Sequence, residues 1–413
     1  MIKRKTTTLG LLVGSMLLLW ATSLPAQTSL KDINQNLRYS RYSRLALKVI
    51  PVKVSERNFK LQMVAEKLEE DPRFDDYQFS YTIVEGFDEV ITDEERIVLQ
   101  GPDLKKDTES HYYFEETVEI PAGQEQAYAI FWARDKRQGD EYVFHTDLLS
   151  PYIFEVPDFG AYYGNNLPFD QTYLNAGEAL LFNSTNTVNL YSYFYPQEFS
   201  VPLPPMETKP PAVPKEVSVV DDGSFLVNVP KTFGEEGYYF IQSDTTSSSG
   251  LLIKTVPKSF PNVPSWDEMV EMVAYISTRK EHEQLMAAEN KKLALDQYWI
   301  QMVKDEEQAK ALIREYFRQV EFANILFSDF KEGWMTDRGM IYIVMGPPQE
   351  VYFHSDREVW VYDGINSNSK ISFTFARIKN ILTPNYYVLN RSRSYQPVWF
   401  KNITLWRSGS MAF

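Results

Sequence analysis

Asp337, Arg338 and His354 are the residues of this sequence whose types and proximity are best suited to acid–base chemistry. A carboxylate, a guanidinium and an imidazole on neighbouring turns could bind a ligand or transfer a proton, as a hydrolase or a glycan-processing enzyme requires. The structural alternative is that Asp337 caps a turn and pairs with Arg338 or with a helix. We expect this alternative, and therefore no catalytic residue.

Patterns typical of metal and cofactor sites are missing from the sequence. His282-Glu283 begins like the helix of a zinc protease, but Met286 stands where the second His ligand belongs. The chain has only four His and no Cys, so a thiolate zinc site is excluded. There is no nucleophile elbow, no P-loop and no dinucleotide-binding fingerprint. We expect no metal and no cofactor, and a non-enzymatic protein rather than an enzyme.

Aromatic and basic residues supply the binding candidates. Trp334 and Trp360 could stack on a sugar, as in a carbohydrate-binding module, or pack in a core. Residues 370–413 form a basic, aromatic tail with seven Lys or Arg and no Asp or Glu. Arginine and aromatic side chains concentrate binding energy at protein interfaces. The tail candidates are Arg391, Arg393, Trp399 and Trp406, and their target is either an external protein or the chain's own acidic β domains.

Charge and the N-terminal residues restrict the partners and the location. The net charge of −14 argues against nucleic acid as a partner. Positive residues at 3–5, an apolar run at 9–20 and the triplet Leu24-Pro25-Ala26 predict a signal peptide over residues 1–26. The apolar run is shorter than the roughly 20 residues that span a bilayer. We expect a periplasmic or extracellular protein that is not a lipoprotein and has no transmembrane segment after cleavage.

Alternating apolar and polar residues predict strands in the first half of the chain. Tyr128, Ile130 and Trp132, spaced two apart, are expected to face a core. Six or seven short strands in residues 27–156 predict one β-sandwich, and a second is predicted in residues 157–262. Within the second, Asp221-Asp222-Gly223 predicts a hairpin turn.

Helices are predicted after Pro261. Ser265 and Glu268 form a capping box for a first helix, and further helices are expected from about 278 to 303 and from 305 to 327. This helical connector covers residues 263–332. Residues 340–345 then predict a strand that ends at Gly346-Pro347-Pro348, within a small α+β domain at 333–413.

This last part resembles the GWxTD domain family, whose signature is filled here by Gly333, Trp334, Met335, Thr336 and Asp337. The likeness continues through Arg338-Gly339 and Gly346-Pro347-Pro348 and covers roughly residues 290–390. It implies an exported protein, typically from Bacteroidetes-like bacteria, and it implies no known activity.

The sequence therefore predicts a mixed, mainly β fold. It comprises two tandem Ig-like β-sandwiches, a helical connector and a small α+β C-terminal domain. The expected function is a non-enzymatic cell-envelope protein that mediates protein–protein contact or scaffolding. A hydrolase or glycan-processing enzyme using Asp337, Arg338 and His354 is one alternative, and a carbohydrate-binding module is another, so that a glycan is a possible ligand.

Overall fold

The fold is mainly β, with the α-helices gathered in the C-terminal part of the chain. The computed structural model describes residues 28–70, 72–196, 199–208, 218–263, 265–303, 305–364 and 369–411. The mixed, mainly β class that the sequence predicts is confirmed. The predicted signal peptide lies outside the described residues, and the Ig-like topology stays a prediction.

Two antiparallel four-stranded sheets form the first part of the chain, in the orders β2-β3-β8-β7 and β10-β9-β4-β6. Phe79, Phe114 and Phe131 pack in the core between them. The strands are β1 (Thr28–Ser29), β2 (Leu45–Lys53), β3 (Asn58–Lys67), β4 (Tyr77–Val84), β5 (Val90–Ile91), β6 (Ile97–Leu99), β7 (Leu104–Asp107), β8 (His111–Glu119), β9 (Ala127–Asp135) and β10 (Glu141–Leu149).

Strand β9 is buried on both of its faces. Phe131 belongs to the core between the two sheets. Tyr128, Ile130 and Trp132 are also buried, but they belong to the hydrophobic cluster that contains the C-terminal helices. The first β part and the C-terminal part therefore share a core.

The second β part has a three-stranded sheet, β11-β13-β16, and a five-stranded sheet, β12-β18-β17-β14-β15. Its strands are β11 (Phe159–Tyr162), β12 (Tyr173–Asn175), β13 (Ala179–Ser184), β14 (Asn189–Tyr195), β15 (Asp221–Leu226), β16 (Lys231–Thr232), β17 (Gly237–Gln242) and β18 (Leu251–Val256). The predicted hairpin turn at Asp221-Asp222-Gly223 is wrong. These residues begin β15, where Gly223 pairs with Ser192 of β14, because ladder pairing overrides a local turn signal.

Helices and one further sheet form the C-terminal part. The elements are α1 (Trp266–Met272), α2 (Arg279–Ala287), α3 (Lys291–Val303), α4 (Glu306–Phe327), α5 (Asp337–Met345), β19 (Glu350–Phe353), β20 (Arg357–Asp363), β21 (Lys370–Arg377), β22 (Tyr387–Leu389) and α6 (Gln396–Arg407). Ser265, Thr278 and Asp305 cap α1, α2 and α4 through their side chains, where the sequence predicts helix starts. The helix expected to run from 278 to 303 is divided, because Asn290 accepts a hydrogen bond from the Leu293 amide and starts α3.

The strand predicted at residues 340–345 is wrong, because these residues belong to helix α5. Every residue from Asp337 to Met345 is buried, so the apolar run has no exposed face and no helical period in its sequence. Strand and buried helix look alike in such a short run. Gly346 ends the helix with a φ of +79°, a conformation that glycine adopts without strain.

Direct contacts join the first β part to the C-terminal part. Arg377 of β21 donates two hydrogen bonds, of 3.0 and 2.7 Å, to the carboxylate of Asp147 in β10. Both side chains are buried. No helix in the described part of the chain is long and apolar enough to cross a bilayer.

Replacing Arg377 by methionine is expected to lower the free energy of unfolding by roughly 3–5 kcal/mol, because Asp147 is left charged and buried without a cation. Urea denaturation followed by far-UV circular dichroism measures this loss. The double variant Arg377→Met/Asp147→Leu should recover most of the stability, since apolar side chains can replace a buried ion pair. Wild-type stability of Arg377→Met alone would contradict this role.

Candidate functional site

Gly333 of the signature and Gly339, two residues after its end, allow close backbone contacts around the signature turn. A Cβ atom on Gly333 would lie 1.8 Å from the carbonyl oxygen of Ala323, and one on Gly339 would lie 1.8 Å from the carbonyl oxygen of Gly333. No other residue type fits at either position without moving the backbone. Close backbone approach therefore explains why glycine stands at both positions.

Thr336 caps helix α5. Its hydroxyl accepts a 2.9 Å hydrogen bond from the Gly339 amide and donates a 2.7 Å hydrogen bond to the Gly333 carbonyl oxygen. The residue that caps this turn is therefore Thr336, and not Asp337 as expected from the sequence. The cap satisfies one of the amide groups that a helix start leaves without an internal partner.

Asp337 forms a buried, bidentate ion pair with Arg391. The Arg391 guanidinium donates hydrogen bonds of 2.5 and 3.1 Å to the two carboxylate oxygens. Asp337 also accepts a 2.8 Å hydrogen bond from the Leu389 amide, and Arg391 donates to the Leu203 carbonyl oxygen at 3.0 Å. The partner of Asp337 is thus Arg391 rather than Arg338.

Arg338 pairs instead with Glu358, a carboxylate that is fully buried. The Arg338 guanidinium donates a 3.2 Å hydrogen bond to Glu358 and lies 4.6 Å from the ring centre of Tyr387. Glu358 accepts two more hydrogen bonds, from the Tyr39 hydroxyl at 2.7 Å and the Trp360 indole at 2.5 Å. Burial alone would lower the pKa of Arg338, but Glu358 raises it.

His354 lies apart from both of these ion pairs. It follows β19, and its amide donates to the Arg357 carbonyl oxygen at 2.8 Å. Burial and the nearby Arg357 lower the pKa of its imidazole. Among the described residues, no hydrogen bond or ion pair joins His354 to Asp337 or Arg338. The three candidate catalytic residues therefore occupy separate environments.

The four candidate tryptophans are core residues in this structure. Their exposed fractions are 2% or less, for Trp334, Trp360, Trp399 and Trp406. The indole N–H groups of Trp334 and Trp360 donate to Glu332 and Glu358. That of Trp406 donates to the Val344 carbonyl oxygen at 3.1 Å. A ring enclosed in this way offers no face to a sugar or to a partner protein.

The basic tail docks on the chain itself. Arg407 donates hydrogen bonds of 2.7 and 3.0 Å to the carboxylate of Glu281, and Arg391 holds Asp337 as described above. The tail ends in helix α6, which the sequence pattern does not predict, although Pro397 stands in its first turn, a usual position for proline. Of the four tail candidates only Arg393 is exposed.

A cavity of about 650 Å³ lies where the three parts of the chain meet. Arg38, Lys48 and His145 line it, together with Phe144. The Arg38 guanidinium lies 4.4 Å from the ring centre of Phe144, and the Lys48 ammonium lies 5.7 Å from the same centre. Neither cation has a carboxylate within ion-pair distance in the part of the chain that the structure describes.

Arg38, Lys48 and His145 form a cationic wall of the cavity. Burial changes the pKa values of two of them. Burial, followed by repulsion from Arg38, lowers the pKa of Lys48. Burial likewise holds the pKa of His145 well below its ordinary value, so the ring is neutral at pH 7. The Nδ1 atom of His145 is buried and has no hydrogen-bond partner. The wall therefore combines two cations with an unused polar atom, an arrangement that suits an anion.

Asp329 is a buried carboxyl group on another side of the cavity. Burial raises its pKa to about 6, and the positive charge of Arg338 offsets only part of this effect. An acid whose pKa is raised by folding keeps its proton up to a higher pH in the folded state than in the unfolded state. The contribution of Asp329 to the free energy of unfolding therefore falls as pH rises from about 4 through 6.

Part of the chain matches a known family model. Residues 237–408 match the model of the GWxTD domain. The matched region is wider than the 290–390 expected from the motifs, since it includes β17 and β18 of the second β part. No curated protein matches the chain.

Replacing Asp337 by asparagine is expected to cost roughly 3–5 kcal/mol of unfolding free energy, because Arg391 is left buried without its counter-charge. Urea denaturation measures the loss. The matched control Arg393→Gln alters an exposed tail arginine and should stay within about 0.5 kcal/mol of wild type. A fully stable Asp337→Asn protein would overturn the structural interpretation of the signature aspartate.

Asp329→Asn is expected to raise the melting temperature at pH 7.5, because it removes a buried negative charge. At pH 4 the wild-type residue is already mostly protonated in the folded state, so the difference should shrink. Thermal melts of both proteins between pH 4 and 8 measure this dependence. A difference that stays constant over that range would contradict the raised pKa.

Proposed function

We propose that this GWxTD-domain protein is a non-enzymatic, exported envelope protein that acts by binding, with the central cavity as its binding site. The ligand is a small molecule that carries a carboxylate, sulfonate or phosphate group on an apolar or aromatic body. The observation that carries this proposal is the cationic wall, in which two cations face a cavity without ion-pair partners.

The chemistry of the lining supports this ligand class. Phe144 and Phe353 flank the Arg38 guanidinium, at 4.4 and 4.6 Å from its central carbon, and supply aromatic surface. A ligand anion could accept hydrogen bonds from Arg38 and Lys48, and charge-assisted bonds of this kind contribute about 1.5–3 kcal/mol each. Pockets that are mostly apolar with a few directed polar groups are typical small-molecule sites.

Catalysis by Asp337, Arg338 and His354 has less support. Two of the three are held in buried ion pairs, with Arg391 and Glu358 respectively, and those pairs hold structural elements together. A general acid or base must reach the proton that it transfers. A binding role leaves these pairs intact.

Contact with a protein partner also has less support than ligand binding. The residues that suggest such contact in the sequence, Arg391, Trp399 and Trp406, face the interior of the chain. These side chains contact other parts of the same chain and are not available to a partner protein.

The fluorescent anion 8-anilinonaphthalene-1-sulfonate tests the proposal, since it joins a sulfonate to an aromatic body. The variant Arg38→Gln/Lys48→Gln is expected to bind it at least tenfold more weakly than wild type, a difference of about 1.4 kcal/mol. Lys105→Gln, which removes an exposed lysine, is the matched control and should bind like wild type.

The neutral probe N-phenyl-1-naphthylamine separates the contribution of the sulfonate charge to binding from that of the aromatic body. It has a similar aromatic body without the sulfonate, so the double variant should bind it as well as wild type does. Equal affinity of wild type and double variant for the sulfonate would refute the anion site. Circular dichroism spectra of both proteins establish that the variant is folded.

A further inference from the structure

We infer that Glu66, His111 and Asp170 form a binding site for a divalent transition-metal ion of the zinc type. Each offers one ligand atom, and these atoms all lie within 4.8 Å of one another. One imidazole and two carboxylates are a donor set that zinc accepts. Its ligands are different residues from those of the cationic wall, although Glu66 and Asp170 line the same cavity. The site does not depend on the function proposed above.

The β-sheet places two of the three ligands side by side. Glu66 of β3 and His111 of β8 are direct partners in the antiparallel register. Directly opposite residues project from the same face of a sheet, so their side chains are neighbours. Asp170 comes from the connection between β11 and β12, which brings it over this face. A metal ion here would tie the first β part to the second.

The distance between His111 and Asp170 fits a shared metal better than a direct hydrogen bond. His111 Nε2 lies 3.7 Å from Asp170 Oδ2, which is beyond hydrogen-bond length. Two atoms bound at about 2.0 Å to a tetrahedral zinc ion lie about 3.3 Å apart. A shift of a few tenths of an ångström brings the pair to that spacing.

Neighbouring groups hold both ligands in place. The other imidazole nitrogen, His111 Nδ1, lies 2.7 Å from the Ser110 hydroxyl. When Nδ1 is protonated and donates this hydrogen bond to the hydroxyl, Nε2 carries the lone pair that a metal needs. The Tyr163 hydroxyl donates to Asp170 Oδ1 at 3.3 Å, which leaves Oδ2 directed at His111. Such outer contacts orient metal ligands in proteins.

The charges of the cluster favour an added cation. The Asp170 side chain is only 3% exposed. Lys48 lies within the electrostatic field of both carboxylates. A divalent ion would compensate the two carboxylates more fully than this ammonium does.

The three protein ligands leave a fourth position for water or for a ligand. Zinc sites with three protein ligands keep such a position open. Glu66 and Asp170 both line the central cavity, so the cavity can supply the fourth ligand.

Isothermal titration of untagged, EDTA-treated protein with ZnCl2 tests the site. Wild type should bind one zinc ion at micromolar or lower Kd, and CaCl2 should bind at least a hundredfold more weakly because calcium prefers oxygen ligands. His111→Ala and Asp170→Asn should each weaken zinc binding at least a hundredfold. His282→Ala, at a histidine outside the cluster, should bind zinc as wild type does.

Thermal melts provide a second readout that does not depend on the titration. Zinc should raise the melting temperature of wild type and of His282→Ala, and it should leave that of His111→Ala unchanged. Absence of zinc binding to wild type would refute the site. Equal zinc binding by wild type and a folded His111→Ala protein would place the ion elsewhere and would also refute it.

Discussion

The buried carboxylate of Glu358 is the interaction on which the rest of this structure depends. It is fully enclosed, and it accepts hydrogen bonds from Tyr39, Arg338 and Trp360. A buried charge costs several kcal/mol unless its partners satisfy it. These partners come from the N-terminal region, from helix α5 and from β20 itself, so all must be in place together. Tyr342 of α5 strengthens the link through a 3.0 Å hydrogen bond from its hydroxyl to the Tyr39 carbonyl oxygen.

This constraint explains why the most recognisable segment of the sequence is structural. Gly333 and Gly339 permit backbone contact, Thr336 caps α5, and Asp337 anchors the tail through Arg391. Each residue type follows from a packing, capping or charge requirement. The polar groups proposed to bind ligands lie elsewhere. They are the cationic wall and the neighbouring cluster of Glu66, His111 and Asp170.

The sequence predicted those elements whose signals are local. Alternation placed Tyr128, Ile130 and Trp132 on one buried face of β9, and the predicted helix starts near Ser265, Thr278 and Asp305 are confirmed. Helix α5 was predicted as a strand because a helix buried on every side loses its period. Helix α6 was missed because its aromatic residues suggested an interface more strongly than a core.

Neither candidate binding site could be predicted from the sequence alone. Lys48 and Phe144 are almost a hundred positions apart in the chain, and the turn of chain that carries Arg38 shows no motif. Glu66 and His111 become neighbours only through the register of β3 with β8. Long-range pairing sets these contacts, and no spacing rule of local sequence encodes them.

A double-mutant cycle between Tyr39 and Glu358 tests the central claim most directly. It requires the unfolding free energies of wild type, Tyr39→Phe, Glu358→Gln and the double variant, all from urea denaturation. The shared buried hydrogen bond predicts a coupling energy of roughly 1.5–3 kcal/mol, as found for bonds to charged groups. Additive effects of the two substitutions, with no coupling, would show that the N-terminal region and the signature helix are not held together by this carboxylate.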